Sequence, residues 1–187
     1  MPSAANKPGA VSAVALVGFM GAGKTTVGQA LAQRLGWRFA DLDQLIEASE
    51  RRSIPRIFAD EGEVHFRELE RKALAQAFSL PDSTPLVLAL GGGAFVSPSV
   101  RELLAELGIA SVWLDAPVDE LFRRCEQPDV VRPLRRDRRQ FAQLHEQRLS
   151  SYRQADLHVV TIGKEISSIV NEVIQGLALC PVSRSSE

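Results

Sequence analysis

Unbroken apolar runs alternate along this chain with apolar positions at three-to-four spacing. Residues 14–17 are continuously apolar and stop at Gly18, as a strand buried on both faces would. Over residues 24–35, Val27, Ala30, Leu31 and Leu35 fall at helical spacing. Residues 37–40 predict a short extended segment, after which Asp41-Leu-Asp43 opens a second helix. Residues 63–78 predict a long amphipathic helix with Phe66, Leu69, Ala73, Leu74 and Ala77 on one face. A buried strand over 86–90 is stopped by Gly91-Gly-Gly93. Further on come a helix over 98–107, a strand over 109–114 and a helix over 117–124 that starts at a proline. A very polar helix over 138–151, a strand over 157–161 and a helix over 165–177 complete the series. Apolar strands alternating with helices predict an α/β fold, a parallel sheet covered on both faces. In such sheets ligands bind where strands deliver their C-terminal ends into loops, so the residues just after each strand carry most of the functional weight.

Composition narrows the class. With 187 residues, 45% hydrophobic and 24% charged, the chain is neither disordered, collagenous nor a disulfide scaffold. We find no internal repeat or linker, which predicts one domain over 1–187 with frayed ends at 1–10 and 181–187. Lys and Arg total 22 against 23 Asp and Glu, a net charge of −1 that argues against a generic nucleic-acid binder. Cys125 and Cys180 stand alone, outside any Cys-x-x-Cys pair, as in a reduced enzyme. The first ten residues hold one lysine and no apolar core, and the apolar run that follows is too short to span a bilayer. The expected address is the cytoplasm, and the expected partners are small molecules, with no nucleic acid and no membrane. The chain is expected to act as a monomer.

The strongest chemical signal is Gly18-Phe-Met-Gly-Ala-Gly-Lys-Thr25, a P-loop pattern between a strand and a helix. Its glycines let backbone N–H groups curl around an anion, and the helix behind adds the positive end of its dipole. Lys24 supplies a point charge for β- and γ-phosphates, and Thr25 offers a hydroxyl to Mg²⁺. Three clusters bear on what receives the phosphate. Asp41 and Asp43 can serve Mg²⁺ and an acceptor hydroxyl, or one of them can simply cap the following helix. Gly91, Gly92 and Gly93 either admit a ligand against the backbone or make a turn of positive φ. Residues 123–139 carry seven arginines against three acids, a local charge of +4 suited to a basic lid over phosphates or to a solvated face. Asp115 closes an apolar strand in the manner of a Walker B aspartate and competes with Asp41 for the metal role.

Taken together and in order, these motifs resemble the shikimate kinase family over about residues 14–160. The resemblance rests on the P-loop through Thr26, Asp41-Leu-Asp43, Ser53-Ile-Pro-Arg-Ile-Phe58, Glu61-Gly-Glu63, Phe66-Arg-Glu-Leu-Glu70, Gly91-Gly-Gly-Ala94, Trp113-Leu-Asp115, Arg132-Pro-Leu134, and Arg148 followed by Tyr152. It implies a three-layer α/β/α, NMP-kinase-like P-loop fold with a five-stranded parallel sheet ordered 2-3-1-4-5. A substrate-binding segment would lie about 43–70 and a lid about 124–136. It implies ATP-dependent phosphorylation of the 3-hydroxyl of shikimate, in the route to chorismate and the aromatic amino acids, with Mg²⁺ as cofactor. Carried onto these positions, ATP would be bound by Gly21, Ala22, Gly23, Lys24, Thr25, Thr26, Arg124 and Arg132, and the metal by Thr25 and Asp41. Shikimate would be held by Asp43, Arg67, Gly91, Gly92, Gly93 and Arg148, with Glu70 orienting Arg67. Lys24, Asp43 and Arg132 would be catalytic, Asp43 as the base and Arg132 on the transferring phosphate. The chemistry agrees: a small hydroxylated carboxylate calls for arginine forks, an aspartate for its hydroxyls and small residues for close fit. Phe58 and Phe66 could wall the ring or pack in the core. Three departures stand out: Leu90 precedes the glycines where the family often has threonine, the lid reads Glu126-Gln-Pro-Asp-Val-Val-Arg132 with an unusual spacing, and residues 161–164 lack an arginine often found in the adenine loop. The alternative is another small-molecule P-loop kinase, of gluconate or nucleotide type.

Overall fold

The computed structural model describes residues 11–78, 85–126 and 137–182. Five strands, β1 (Ala13–Val17), β2 (Arg38–Asp41), β3 (Leu86–Ala89), β4 (Ala110–Asp115) and β5 (Leu157–Val160), form one parallel sheet ordered β2-β3-β1-β4-β5. Every residue of β1 and β3 is buried, which is why both read as unbroken apolar runs. The edge strand β2 is half-buried throughout and correspondingly mixed in sequence.

Helix α1 (Lys24–Leu35) packs on β1, β2 and β3 and against α7 (Ile166–Gly176). Gly36 ends α1 in the left-handed region, and the Trp37 N–H returns to Ala32 O at 2.9 Å, a glycine-dependent C-terminal stop. After β2 the chain reverses across the sheet, and right-handed crossovers then put α4 (Pro98–Glu106), packed on β4, on the face opposite α1. Helices α5 (Val118–Cys125) and α6 (Arg138–Tyr152) pack on each other. At the far end Val182 N–H donates to Leu35 O at 2.8 Å, tying down the last described residue.

The structure adds one α-helical stretch to those expected, besides a short 3-10 turn over Ala94–Val96. Helix α2 (Leu42–Glu50) is followed by α3 (Ile54–Phe78), which breaks at Gly62 (φ 79°, ψ −178°). The second half is the amphipathic helix read from the periodicity. The first half buries only Ile57 and so lacks an apolar stripe. Its start is fixed instead by Pro55 in the first turn and by Glu47, whose Oε1 accepts the Ile54 N–H at 2.8 Å.

The sheet's C-terminal edge thus carries the P-loop after β1, the Asp41–Asp43 turn after β2, the glycine strip after β3 and the loop at Thr161 after β5. Close seating of α1 on β1 and β2 holds this edge together. A Cβ on Gly28 would lie 2.5 Å from Phe39 Cε2 and 3.1 Å from Leu16 Cδ1. Gly28→Val should therefore overpack this contact by about 1–3 kcal/mol. In a domain of this size that lowers Tm by about 3–10 °C in calorimetry; an unchanged Tm would contradict the packing.

Candidate active site

The P-loop begins with constraints on its glycines. Gly18, at φ 140°, passes so close to β4 that a Cβ would sit 2.5 Å from Leu114 O. Gly23 precedes α1 at φ 88° with no side-chain cap, and the first turn of α1 holds no acidic residue. Uncapped N–H groups and the helix dipole are therefore offered to an anion. Lys24 Nζ folds back over the loop, donating to Gly18 O at 2.9 Å and Phe19 O at 3.2 Å. Ala22 is buried, Thr25 half-buried, and Thr26 exposed on the first turn of α1.

Asp41 is the residue that caps α2, and its second oxygen turns to Thr25. Its Oδ1 accepts the Asp43 N–H at 3.1 Å and caps α2, while its Oδ2 accepts the Thr25 hydroxyl at 2.9 Å. The two oxygens expected around Mg²⁺ are thereby in hydrogen-bond contact. The rival Asp115 is engaged elsewhere: its Oδ2 meets His158 Nε2 at 2.9 Å, beside the stacked rings of His158 and Trp113. Among the described residues no cluster of three or more His, Cys, Asp or Glu could hold a metal by itself. A site built on one carboxylate and one hydroxyl suits Mg²⁺, which keeps waters and takes phosphate oxygens for its other ligands.

Asp43 lies in the first turn of α2, where the helix dipole favours its negative charge. Its carboxylate rests against the glycine strip so closely that any Cβ on Gly91 would overlap Asp43 Oδ1. Gly93 is similarly hemmed in: a Cβ there would stand 3.0 Å from Arg67 Nη2 and 3.4 Å from Arg148 Nη2. None of the three glycines has a positive φ. They do not make a left-handed turn; they leave room for a carboxylate and two guanidiniums to approach one strip of backbone. Arg148 Nη1 and the Tyr152 hydroxyl both donate to Gly92 O, at 2.9 and 2.5 Å. Burial pushes the Tyr152 phenol up to about 12 against the pull of Arg148, so it stays a neutral donor. Tyr152 entered the sequence reading only as a motif letter; its hydroxyl turns out to anchor the strip.

Arg67 is held from both sides. Its Nη1 donates to Glu70 Oε2 at 2.8 Å, and its Nε and Nη2 donate to Glu63 Oε1 at 3.3 and 3.0 Å. Glu70 is 1% exposed. Burial raises its pKa above the ordinary carboxylate value, opposed by the hydrogen bond and charge of Arg67. Burial lowers the Arg67 pKa, but the bonds to Glu70 and Glu63 more than offset this and leave it raised. Phe66 is buried in the core, 4.5 Å centroid to centroid from the more exposed Phe58. Of the two, the core accounts for Phe66.

Arg124 spans the nucleotide side. Its Nε donates to Glu120 Oε1 at 2.7 Å, and its Nη1 reaches Gly21 O at 3.4 Å and Thr161 Oγ1 at 3.3 Å. Thr161 is tied in turn to Asp115 O through both its N–H (2.7 Å) and its hydroxyl (3.0 Å). Arg123 and Arg124 hold the Glu120 carboxyl down at about 2. An arginine from α5 thus touches the first residue of the 161–164 loop. Leu90 is buried at 1% exposure, an apolar side chain beneath the strip. Arg132 and the rest of the basic stretch over 127–136 lie outside the described residues.

The shikimate kinase family model matches residues 20–178. The shikimate kinase of Persephonella marina is 40% identical over 159 residues, spanning 85% of this chain and 94% of its own length. That of Ruegeria pomeroyi is 44% identical over 169 residues, spanning 88% and 84%. Among solved structures, shikimate kinase from Bacteroides thetaiotaomicron aligns with a TM-score of 0.81 at 32% identity, covering 89% of this chain and 98% of that one. Shikimate kinase from Acinetobacter baumannii in complex with shikimate gives 0.76 at 34% identity, covering 88% and 92%. A gluconokinase from Sinorhizobium meliloti, at 21% identity and a TM-score of 0.62, shares the fold alone.

The buried Glu70 makes a stability prediction. Arg67→Ala leaves its carboxylate uncompensated, which should cost about 3 kcal/mol at neutral pH, the low end for breaking a buried pair because Arg67 keeps an exposed edge. Without Arg67 the folded-state pKa of Glu70 rises further, so the variant loses stability as pH climbs from the unfolded value of 4.5 through that higher pKa. Urea melts of both proteins across pH should show their difference shrinking as pH falls through the variant's raised Glu70 pKa and reaching its minimum by about pH 4.5; a gap independent of pH would contradict the pairing.

Proposed function

This chain belongs to the shikimate kinase family, and from that premise we propose how its own residues carry the γ-phosphoryl group of ATP to the 3-hydroxyl of shikimate. The observation that carries the reading is the convergence of Asp43, Arg67 and Arg148 on the side-chain-free strip Gly91–Gly92–Gly93, beside the P-loop.

The triphosphate binds across Gly21, Ala22, Gly23, Thr25 and Thr26 at the uncapped start of α1. Lys24 exchanges its carbonyl partners in the loop for phosphate oxygens. Thr25 and Asp41 would hold Mg²⁺, which would screen the charge of the phosphates. The Arg124 guanidinium, fixed by Glu120 between Gly21 and Thr161, lines the adenine side. Arg67 and Arg148 grip the carboxylate of shikimate, and the glycines let its ring lie close to the backbone. That clamp supplies orientation, the cheapest source of rate acceleration at a phosphoryl-transfer site. The 3-hydroxyl then faces Asp43. As the hydroxyl oxygen bonds to the γ-phosphorus and the bond to the β-bridging oxygen breaks, Asp43 takes the hydroxyl proton and ADP departs. Arg132, from the basic stretch, meets the charge on the transferring group.

We further infer one catalytic unit over residues 1–187, with a substrate-binding segment about 43–70 and a lid about 124–136. We place it in the cytoplasm as a monomer. Its two cysteines are free thiols, and among the described residues no helix is long and apolar enough to cross a membrane. Gluconate- and nucleotide-type acceptors are not favoured. A nucleotide acceptor would need a base-reading pocket where two guanidiniums stand.

A coupled ADP-release assay with shikimate, ATP and Mg²⁺ tests the assignments. Asp43→Asn should lower kcat by about 10²–10⁴, the range for losing a general base, with the KM for ATP nearly unchanged. An equal loss of ATP affinity would mean that Asp43 serves the metal. Arg67→Lys and Arg148→Lys should each raise the KM for shikimate about 10- to 100-fold, as expected for a charge-assisted fork reduced to a point charge. A defect confined to ATP would overturn the carboxylate assignment.

A further inference from the structure

Arg67 offers its N–H groups along two edges, and the two are occupied very differently. The Nη1 side is committed to Glu70, a side chain only 2% exposed, and the guanidinium also lies over the Phe66 ring at 5.5 Å. These contacts fix Arg67 in place. The Nε–Nη2 side is taken by a single oxygen of Glu63, whose side chain is 68% exposed. Arg67 Nη2 and Nη1, with Arg148 Nη2, all flank Gly93, where the two guanidiniums converge, and Nη2 stands nearest. So Glu63 takes a hydrogen bond from the nearest of the nitrogens that face the site, while Glu70 holds Nη1.

Charge points the same way. The two guanidiniums carry +2 and face three carboxylates, Glu63, Glu70 and Asp43, so an incoming anion meets a clamp whose charge is already offset. Glu70 is sealed in the core and cannot leave. Glu63 follows Gly62, where the helical path is broken, and is free to swing into water.

We infer that Glu63 is an internal placeholder carboxylate that occupies the Nε–Nη2 edge of Arg67 in the empty enzyme and must be displaced by the carboxylate of the substrate, so that it sets shikimate affinity by competition. The inference rests on the reading of Arg67 as a carboxylate clamp. Its effect is modest, since exposed ion pairs are weak, and it falls on substrate binding alone. The opposite assignment makes Glu63 a support that pre-aligns Arg67, and it predicts a change of opposite sign.

The test is Glu63→Gln, which keeps the length of the side chain and removes its charge. The expected result is a KM for shikimate lowered about two- to five-fold, the span of an exposed pair's coupling. The kcat and the KM for ATP stay at wild-type values, a split that a structural role for Glu63 would not produce. Glu63→Ala should match it. A KM for shikimate that is unchanged or raised in Glu63→Gln overturns the inference. Arg67→Lys, run alongside, separates the two layers. If it weakens shikimate binding while Glu63→Gln does not strengthen it, only the placeholder role falls. If Arg67→Lys leaves shikimate binding intact, the clamp reading falls and takes the placeholder with it.

Discussion

One carboxylate, Asp41, ties the catalytic edge together. It ends the edge strand β2, caps α2 through Oδ1 and accepts the Thr25 hydroxyl through Oδ2. Three elements that could otherwise drift are thereby held in register: the start of the phosphate-binding helix, the strand end and the helix that presents Asp43. Because Asp43 sits two residues beyond the cap, its position against Gly91 follows from the cap geometry. In the proposed reading, metal-side and acceptor-side chemistry share the tripeptide Asp41-Leu-Asp43 and are set at a fixed separation. In a reaction where the protein contributes mainly positioning and electrostatics, that fixed separation matters more than any single bond strength.

The acceptor side shows how charge is spent. Burying Glu70 is costly by itself, and the cost is met by Arg67, whose orientation is in turn fixed. Arg148 and Tyr152 both fasten Gly92 O, so the glycine strip is pinned from α6 while Arg67 approaches from α3. Rigid elements on both sides of the sheet edge therefore aim two guanidiniums at one place. The nucleotide side follows the same logic, with Glu120 aiming Arg124 between the P-loop and the loop at Thr161.

Much of this was legible in the residues. Unbroken apolar runs marked β1, β3 and β4 because a covered parallel sheet buries both faces, and the P-loop named the phosphate site. The first half of α3 was not legible, since it buries only Ile57 and is started by Glu47 from another helix. Gly-Gly-Gly alone leaves open a turn of positive φ; the backbone angles remove that option, and Asp43 and Arg67 occupy the space that a Cβ on Gly91 or Gly93 would need. Likewise, local sequence could not show that Asp41 caps and binds Thr25 at once, because its two oxygens act in different directions. Glu63 and Tyr152 enter only as motif letters: Glu63 pairs with Arg67 four residues on along α3, and Tyr152 finds its partner only where α6 meets Gly92.

The central claim is that a phosphate loop and a carboxylate clamp share one acceptor position at Asp43. Phosphorus NMR of the purified protein with ATP, Mg²⁺ and one acceptor at a time tests it most directly. With shikimate the account predicts a new phosphomonoester resonance that grows in step with ADP, and no more than background hydrolysis with gluconate or a nucleoside monophosphate. Stoichiometric phosphorylation of either alternative acceptor, or ATP binding with no product from shikimate, would contradict it.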